Sequence, residues 1–108
     1  MRTGDIILIP FPFAESNRVK ARPAVLISKT ADLCMDFVLA AISCVIPKQL
    51  SRNEMIIYPD SINNLRAVSV IKIDRIVTLK ANSVIARLGQ LKKDELIVFK
   101  RKFRELVE

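Results

Sequence analysis

The sequence predicts an α+β, mostly β domain: a small barrel or curled antiparallel sheet with a C-terminal amphipathic helix. Three observations predict it. Short runs rich in Ile, Val and Leu recur up to Leu88, separated by polar turn formers. Ala67 to Ile73 (AVSVIKI) alternates with the period of two that a strand requires. Beyond Gly89 the period changes, and Leu96, Phe99, Phe103 and Leu106 recur at steps of three, four and three, which places them on one helix face.

The opening runs, Asp5 to Phe13 and Pro23 to Ser28, read as two strands of a hairpin-like unit joined by a polar loop carrying Arg18, Lys20 and Arg22. Pro10, Pro12 and Pro23 punctuate them; proline lacks the N–H of a ladder residue and belongs at strand ends, edges and bulges. Lys29 to Asp36 is a surface connection. Phe37 to Ile42 is nearly all apolar, as in a strand covered on both faces, and it ends at Ser43-Cys44. Pro47 to Asn53 is a loop, Met55 to Tyr58 a short strand stopped by Pro59-Asp60, and Ser61, Asn63 and Asn64 are turn formers. Val68, Val70 and Lys72 fall on one face of the Ala67–Ile73 strand and Ala67, Ser69, Ile71 and Ile73 on the other, so one wetter face is expected. Ile76 to Leu79 follows after Asp74-Arg75, and Asn82-Ser83 turns the chain into Val84 to Leu88. In the final helix Asp94 and Glu95 stand near the start and Lys100, Arg101, Lys102 and Arg104 toward the end, as the helix dipole favours.

The 108 residues suit a single domain, residues 1–108, and a hydrophobic content of 51% suits a folded core. The 18 Lys and Arg exceed the 11 Asp and Glu, a net charge of +7 that favours acidic partners, nucleic acid among them. There is no histidine, which removes the usual acid–base group near neutral pH and the commonest metal ligand. Cys34 and Cys44 lack the spacing of a zinc site, so no metal and no cofactor is expected; buried free thiols in a reducing cytosol fit them best. The longest apolar runs fall far short of the roughly 20 residues of a membrane span, so a soluble cytoplasmic protein is expected.

Among side chains able to carry chemistry, Arg22 enters the second strand with a planar fork of donors suited to phosphate oxygens and an anionic transition state. By residue type alone, an ordinary surface ion pair explains it more readily. Ser43, leaving the third strand, suits either a phosphate contact or a satisfied strand end. Lys72 and Asp74, two residues apart, fall on one side of a regular strand, where a surface ion pair is again the bland explanation.

The stretches Gly4-Asp5-Ile6-Ile7-Leu8-Ile9-Pro10-Phe11-Pro12-Phe13 and Arg22-Pro23-Ala24-Val25-Leu26-Ile27-Ser28 closely resemble the start of PemK/MazF-like toxins, and the resemblance continues to about Leu106. It implies an SH3-like barrel with an appended helix, usually a homodimer, and a metal-independent endoribonuclease that cuts single-stranded RNA at short sequences. In that family the RNA's own 2′-hydroxyl attacks the adjacent phosphate, giving a cyclic phosphate and a 5′-hydroxyl. The resemblance puts the key arginine at Arg22, the hydroxyl residue at Ser43, and the basic-x-acidic triplet at Lys72-Ile73-Asp74, with Asp74 as candidate proton acceptor. It also implies an acidic antitoxin partner. Arg18, Lys20 and Lys72 are the candidate RNA-binding cations.

The chain departs from the family pattern in two places. Ser43 stands where many members carry Thr, and the first loop, Ala14 to Ala21, has no glycine and sets Glu15 away from Arg22. Recognition of single-stranded RNA usually adds stacking groups, for which only Phe11, Phe13 and Tyr58 lie near loops. Two other functions fit the same fold: a gyrase-binding toxin of the CcdB-like kind, and a nucleic-acid binder without activity. The Arg22 and Ser43 pair separates them, because a gyrase binder has no need of it.

Overall fold

The computed structural model of the chain describes residues 1–12 and 19–108. The opening runs form strands β1 (Asp5–Pro12) and β2 (Val19–Lys29), antiparallel, with Ile6 opposite Val25 and Ile9 opposite Arg22. β2 starts before the expected Pro23, so Lys20 and Arg22 are ladder residues, opposite Phe11 and Ile9. The polar character of Val19 to Arg22 suggested a loop, but pairing with β1 satisfies the backbone there and long side chains such as Lys and Arg are tolerated on a strand. Phe13, Glu15 and Arg18, with most of the loop from Ala14, lie outside the described residues.

β3 (Phe37–Ser43), β4 (Glu54–Ile57), β5 (Ser69–Leu79), a single 3₁₀ turn at Ala81–Ser83, β6 (Ala86–Gln90) and helix α1 (Lys93–Glu105) follow. Among the described residues the strands make one antiparallel sheet in the order β4-β5-β3-β2-β1-β6. Register shifts between Ile6 and Ile7, Leu26 and Ser28, and Ala40 and Ala41 interrupt three ladders. Bulges add local right-handed twist, which accounts for the curl of the sheet.

Both faces are covered, and period-two alternation sorts neighbours between them. Ile6, Val25, Ile27, Ala40, Ile42, Ile71 and Ile73 form one core with Phe99 of α1; Ile7, Ile9, Ala24, Leu26, Phe37 and Leu39 form another on the opposite face. The two late apolar runs are a single strand, β5. Ser69, Val70 and Ile71 are buried in succession, so the start of the strand is covered on both faces, whereas Lys72 is half-buried and the strand beyond Ile73 is mostly exposed. β5 lies between β3 and β4.

The helix docks as its spacing predicts: Phe99 is buried, and Leu96, Phe103 and Leu106 pack against the first core. Glu95 Oε1 accepts the Lys92 N–H at 2.8 Å, closing the first turn. At the other end Lys102 Nζ donates to the Arg52 carbonyl at 3.0 Å and Arg52 donates to the Glu105 carbonyl at 3.2 Å. Gly4, at φ +95°, lets the chain pass under Leu96, whose Cδ1 would lie 2.8 Å from any Cβ there.

Cys34 and Cys44 are free but exposed, not buried as expected. Cys34 sits in the turn between β2 and β3, and Cys44 just past the end of β3, so neither is on a strand facing a core. Among the described residues, no helix is long and apolar enough to cross a membrane.

Candidate active site

The ladder between β2 and β3 runs from Lys29 opposite Phe37 to Ala24 opposite Ala41 and stops. Each strand continues beyond that point on its other partner: β2 stays paired with β1 back to Val19, and β3 with β5 out to Ser43 opposite Val70. Pro23, which has no N–H to offer, is the first residue past the end. The strands therefore part, and a cavity of about 260 Å³ opens between them.

Arg22 and Ala24 from β2, Ala41 and Ser43 from β3, Lys72 and Arg75 from β5 and Ile9 from β1 line this cavity, together with Val45. Carried two residues further, the Ala24–Ala41 register sets Arg22 against Ser43. Ser43 Oγ accepts the Val45 N–H at 3.1 Å, which fixes the oxygen; the O–H has no acceptor among the described residues. Lys72 is opposite both Ala41 and Glu54. Its Nζ lies 3.6 Å from Glu54 Oε2. The Ser51 backbone N–H, 2.8 Å from Glu54 Oε1, chiefly holds the Glu54 carboxyl below its usual range, with the Lys72 charge adding to it. Lys72 thus carries a permanent counter-charge, whereas Arg75 has no carboxylate at ion-pair distance among the described residues.

Arg75 is the residue that sequence reasoning missed. Ala40 pairs with Ile76 and Ala41 with Lys72, so three residues of β5, Ile73, Asp74 and Arg75, have no partner on β3. Regular alternation would put Asp74 beside Lys72. The bulge breaks it: Asp74 is exposed, 3.4 Å from Asn53 Nδ2, and is not among the residues lining the cavity, whereas Arg75 is. The only signal in the sequence was a charged pair set between two apolar runs. Lys20 is exposed on β2, two residues before Arg22, and Arg18 lies outside the described residues. Tyr58 is exposed just past β4. Among the described residues no three His, Cys, Asp or Glu side chains are grouped to hold a metal ion.

The fold and the cavity define a class: a small basic protein whose curled sheet carries three cations and a hydroxyl around one opening, an arrangement suited to a phosphate. The chain belongs to the PemK-like, MazF-like toxins of type II toxin–antitoxin systems, whose family model matches residues 2–107. Solved structures that share its fold include two from mycobacteria. One is an endoribonuclease in complex with its cognate antitoxin from a mycobacterial species, with a TM-score of 0.75 and 14% identity over 99% of this chain and 94% of that one. The other is the Mycobacterium tuberculosis toxin MazF-mt6, with a TM-score of 0.68 and 15% identity over 94% of this chain and 95% of that one. No curated protein matches the sequence.

Proposed function

We propose that this protein is a sequence-selective, metal-independent endoribonuclease, the toxin of its toxin–antitoxin pair, cleaving single-stranded RNA through the substrate's 2′-hydroxyl. The observation that carries this reading is the convergence of Arg22, Ser43, Lys72 and Arg75, from three strands, on the cavity at the end of the β2–β3 ladder. The nucleophile belongs to the RNA, so the protein needs no serine or histidine nucleophile. Its work is to hold the phosphate in line and to stabilise the charge that builds on it. The 2′-oxygen bonds to phosphorus as the bond to the 5′-oxygen breaks. The 2′-hydroxyl gives up its proton, the 5′-oxygen gains one, and the products are a 2′,3′-cyclic phosphate and a 5′-hydroxyl. Arg22 and Arg75 bind the non-bridging oxygens, Ser43 donates its O–H to one of them, and Lys72 adds positive potential. The 2′-proton goes to solvent or to Asp74, which belongs to the same bulge as Arg75. Lys20 and Arg18 extend the basic track for flanking phosphates. A two-fold homodimer and an acidic antitoxin segment that competes for the basic surface complete the reading.

The test is incubation of the purified protein with a long mixed-sequence RNA in the presence of EDTA, with the 5′ ends of the fragments mapped. Cuts at one short motif with 5′-hydroxyl ends, lost in Arg22→Ala and slowed in Ser43→Ala, are expected. Intact RNA from folded protein would overturn the enzymatic reading in favour of binding to a protein target.

A further inference from the structure

The sheet carries a second cavity, of about 470 Å³, at the same parting of β2 and β3. Pro23 lines both cavities. Strand alternation separates most of the rest: Ile9, Arg22 and Ser43 line the first cavity and their neighbours Leu8, Ala21 and Cys44 line the second, while Ile42 also borders the first. The two cavities therefore lie mainly on opposite faces of the sheet, at the fork where β2 and β3 part.

Their chemistry differs. The first holds cations, and the second is walled by Leu8, Pro23, Leu65 and Leu88, with polar groups at its rim. Arg66 lines it and is exposed. The Asn64 amide donates to the Leu88 carbonyl at 2.6 Å, so its Oδ1 remains as an acceptor. Ser69 donates its proton to the Ala67 carbonyl at 2.9 Å and likewise keeps an accepting oxygen. Apolar walls with a donor and acceptors beside them suit a heterocycle, and the volume lies within the roughly 300–1,000 Å³ of small-ligand pockets.

We propose that this second cavity is a nucleobase pocket, which takes the base next to the phosphate held at Arg22 and thereby sets part of the cleavage sequence. The inference rests on the ribonuclease reading above and adds the site of base selection. A strand of RNA that passes through the fork between β2 and β3 leaves its phosphate on one face and presents the adjoining base to the other. The Leu65 wall belongs to a turn that is tied to β6, where the Ile62 carbonyl accepts the Gln90 N–H at 3.2 Å, so the pocket is formed before RNA arrives.

Ala67 lines the pocket and is exposed, so Ala67→Phe fills the pocket without burying new bulk in a core. Cys44 also lines it and reports on occupancy without any need for cleavage. In a Cys34→Ser background, the rate of Cys44 alkylation by iodoacetamide is measured with and without a mixed-sequence RNA pool whose 2′-hydroxyls are methylated. The same proteins are then given unmodified RNA and their cut sites mapped. A saturating pool is expected to slow alkylation about tenfold, as fits loss of one stacked base's access. Ala67→Phe is expected to abolish that slowing and to relax preference at one position next to the cut by about tenfold, with cleavage still dependent on Arg22. Cleavage that depends on Arg22, with Cys44 protection and cut sites unchanged by Ala67→Phe, would overturn the pocket and leave the ribonuclease standing. Protection sensitive to Ala67→Phe without any cleavage would support the pocket and overturn the ribonuclease. Protection by an acidic peptide but not by RNA would reassign the cavity to a protein ligand and overturn the proposal.

Discussion

Arg22 and Ser43 stand on opposite walls of one cavity, each two residues beyond Ala24 and Ala41, the last pair joining β2 to β3. Neither strand ends there, because each keeps its other neighbour. The chemistry is thus mounted on backbone that is hydrogen-bonded on one side and open on the other, which combines rigidity with access.

If that pair orients and stabilises a phosphate, Arg22→Ala will slow RNA cleavage by about 100- to 1,000-fold, the usual cost of removing a donor aimed at developing charge. Arg22→Lys will recover only a minor part, since a point charge does not reproduce the two-pronged contact. Ser43→Ala, which removes one neutral donor, will cost about tenfold. Single-turnover kinetics on an RNA with one cut site, with circular dichroism to verify folding, measures all three.

The bulge in β5 makes a sharper claim. Arg75→Ala is expected to lower cleavage about tenfold and to reduce the salt dependence of RNA binding by about one phosphate contact. Asp74→Asn should change the rate less than about threefold if solvent takes the 2′-proton. A loss of about 100-fold would make Asp74 the proton acceptor. Rates at several pH values distinguish these, because loss of a general base also changes the pH profile.

Asp5 links stability to acid. Its carboxylate is almost buried, accepts the Arg2 N–H at 3.0 Å and lies 3.3 Å from the Arg87 guanidinium. Burial raises its pKa most, but the Arg2 hydrogen bond and Arg87 together outweigh burial and leave the group lowered in the folded state. A lowered folded pKa means the contribution is complete above the unfolded value of about 3.9 and is lost as pH falls through the folded one. Asp5→Asn should cost about 1–3 kcal/mol at pH 7, and the gap from the parent should close below about pH 4. Urea unfolding across that range measures it.

Gly89 holds the turn before β5 against β6. A Cβ there would lie 2.1 Å from the Ile62 carbonyl oxygen and 2.9 Å from Asn63 backbone carbons, which cannot swing aside as a side chain can. Gly89→Ala should destabilise the protein by about 1–3 kcal/mol or more, measured by urea unfolding, and should displace Leu65 from the second cavity.

Much of this was legible in the chain alone. The steps between Leu96, Phe99, Phe103 and Leu106 determined the helix and its buried face, because helical period depends only on local geometry. The apolar runs determined β1, β3 and β4 closely and β2 and β6 in part, and divided β5 in two, while the two motif stretches from Gly4 to Ser28 determined the family. Tertiary structure alone decided which charges face the cavity. Alternation assumes a regular pleat, and the pleat of β5 is broken by its pairing to β3, with Asn53 of a distant loop holding Asp74 outward while Arg75 takes the inner position. The burial of Ser69 to Ile71 on both faces and the start of β2 at Val19 were likewise set by neighbours far away in the chain. A strand's backbone is satisfied by another strand, so its limits and its faces are properties of the pair.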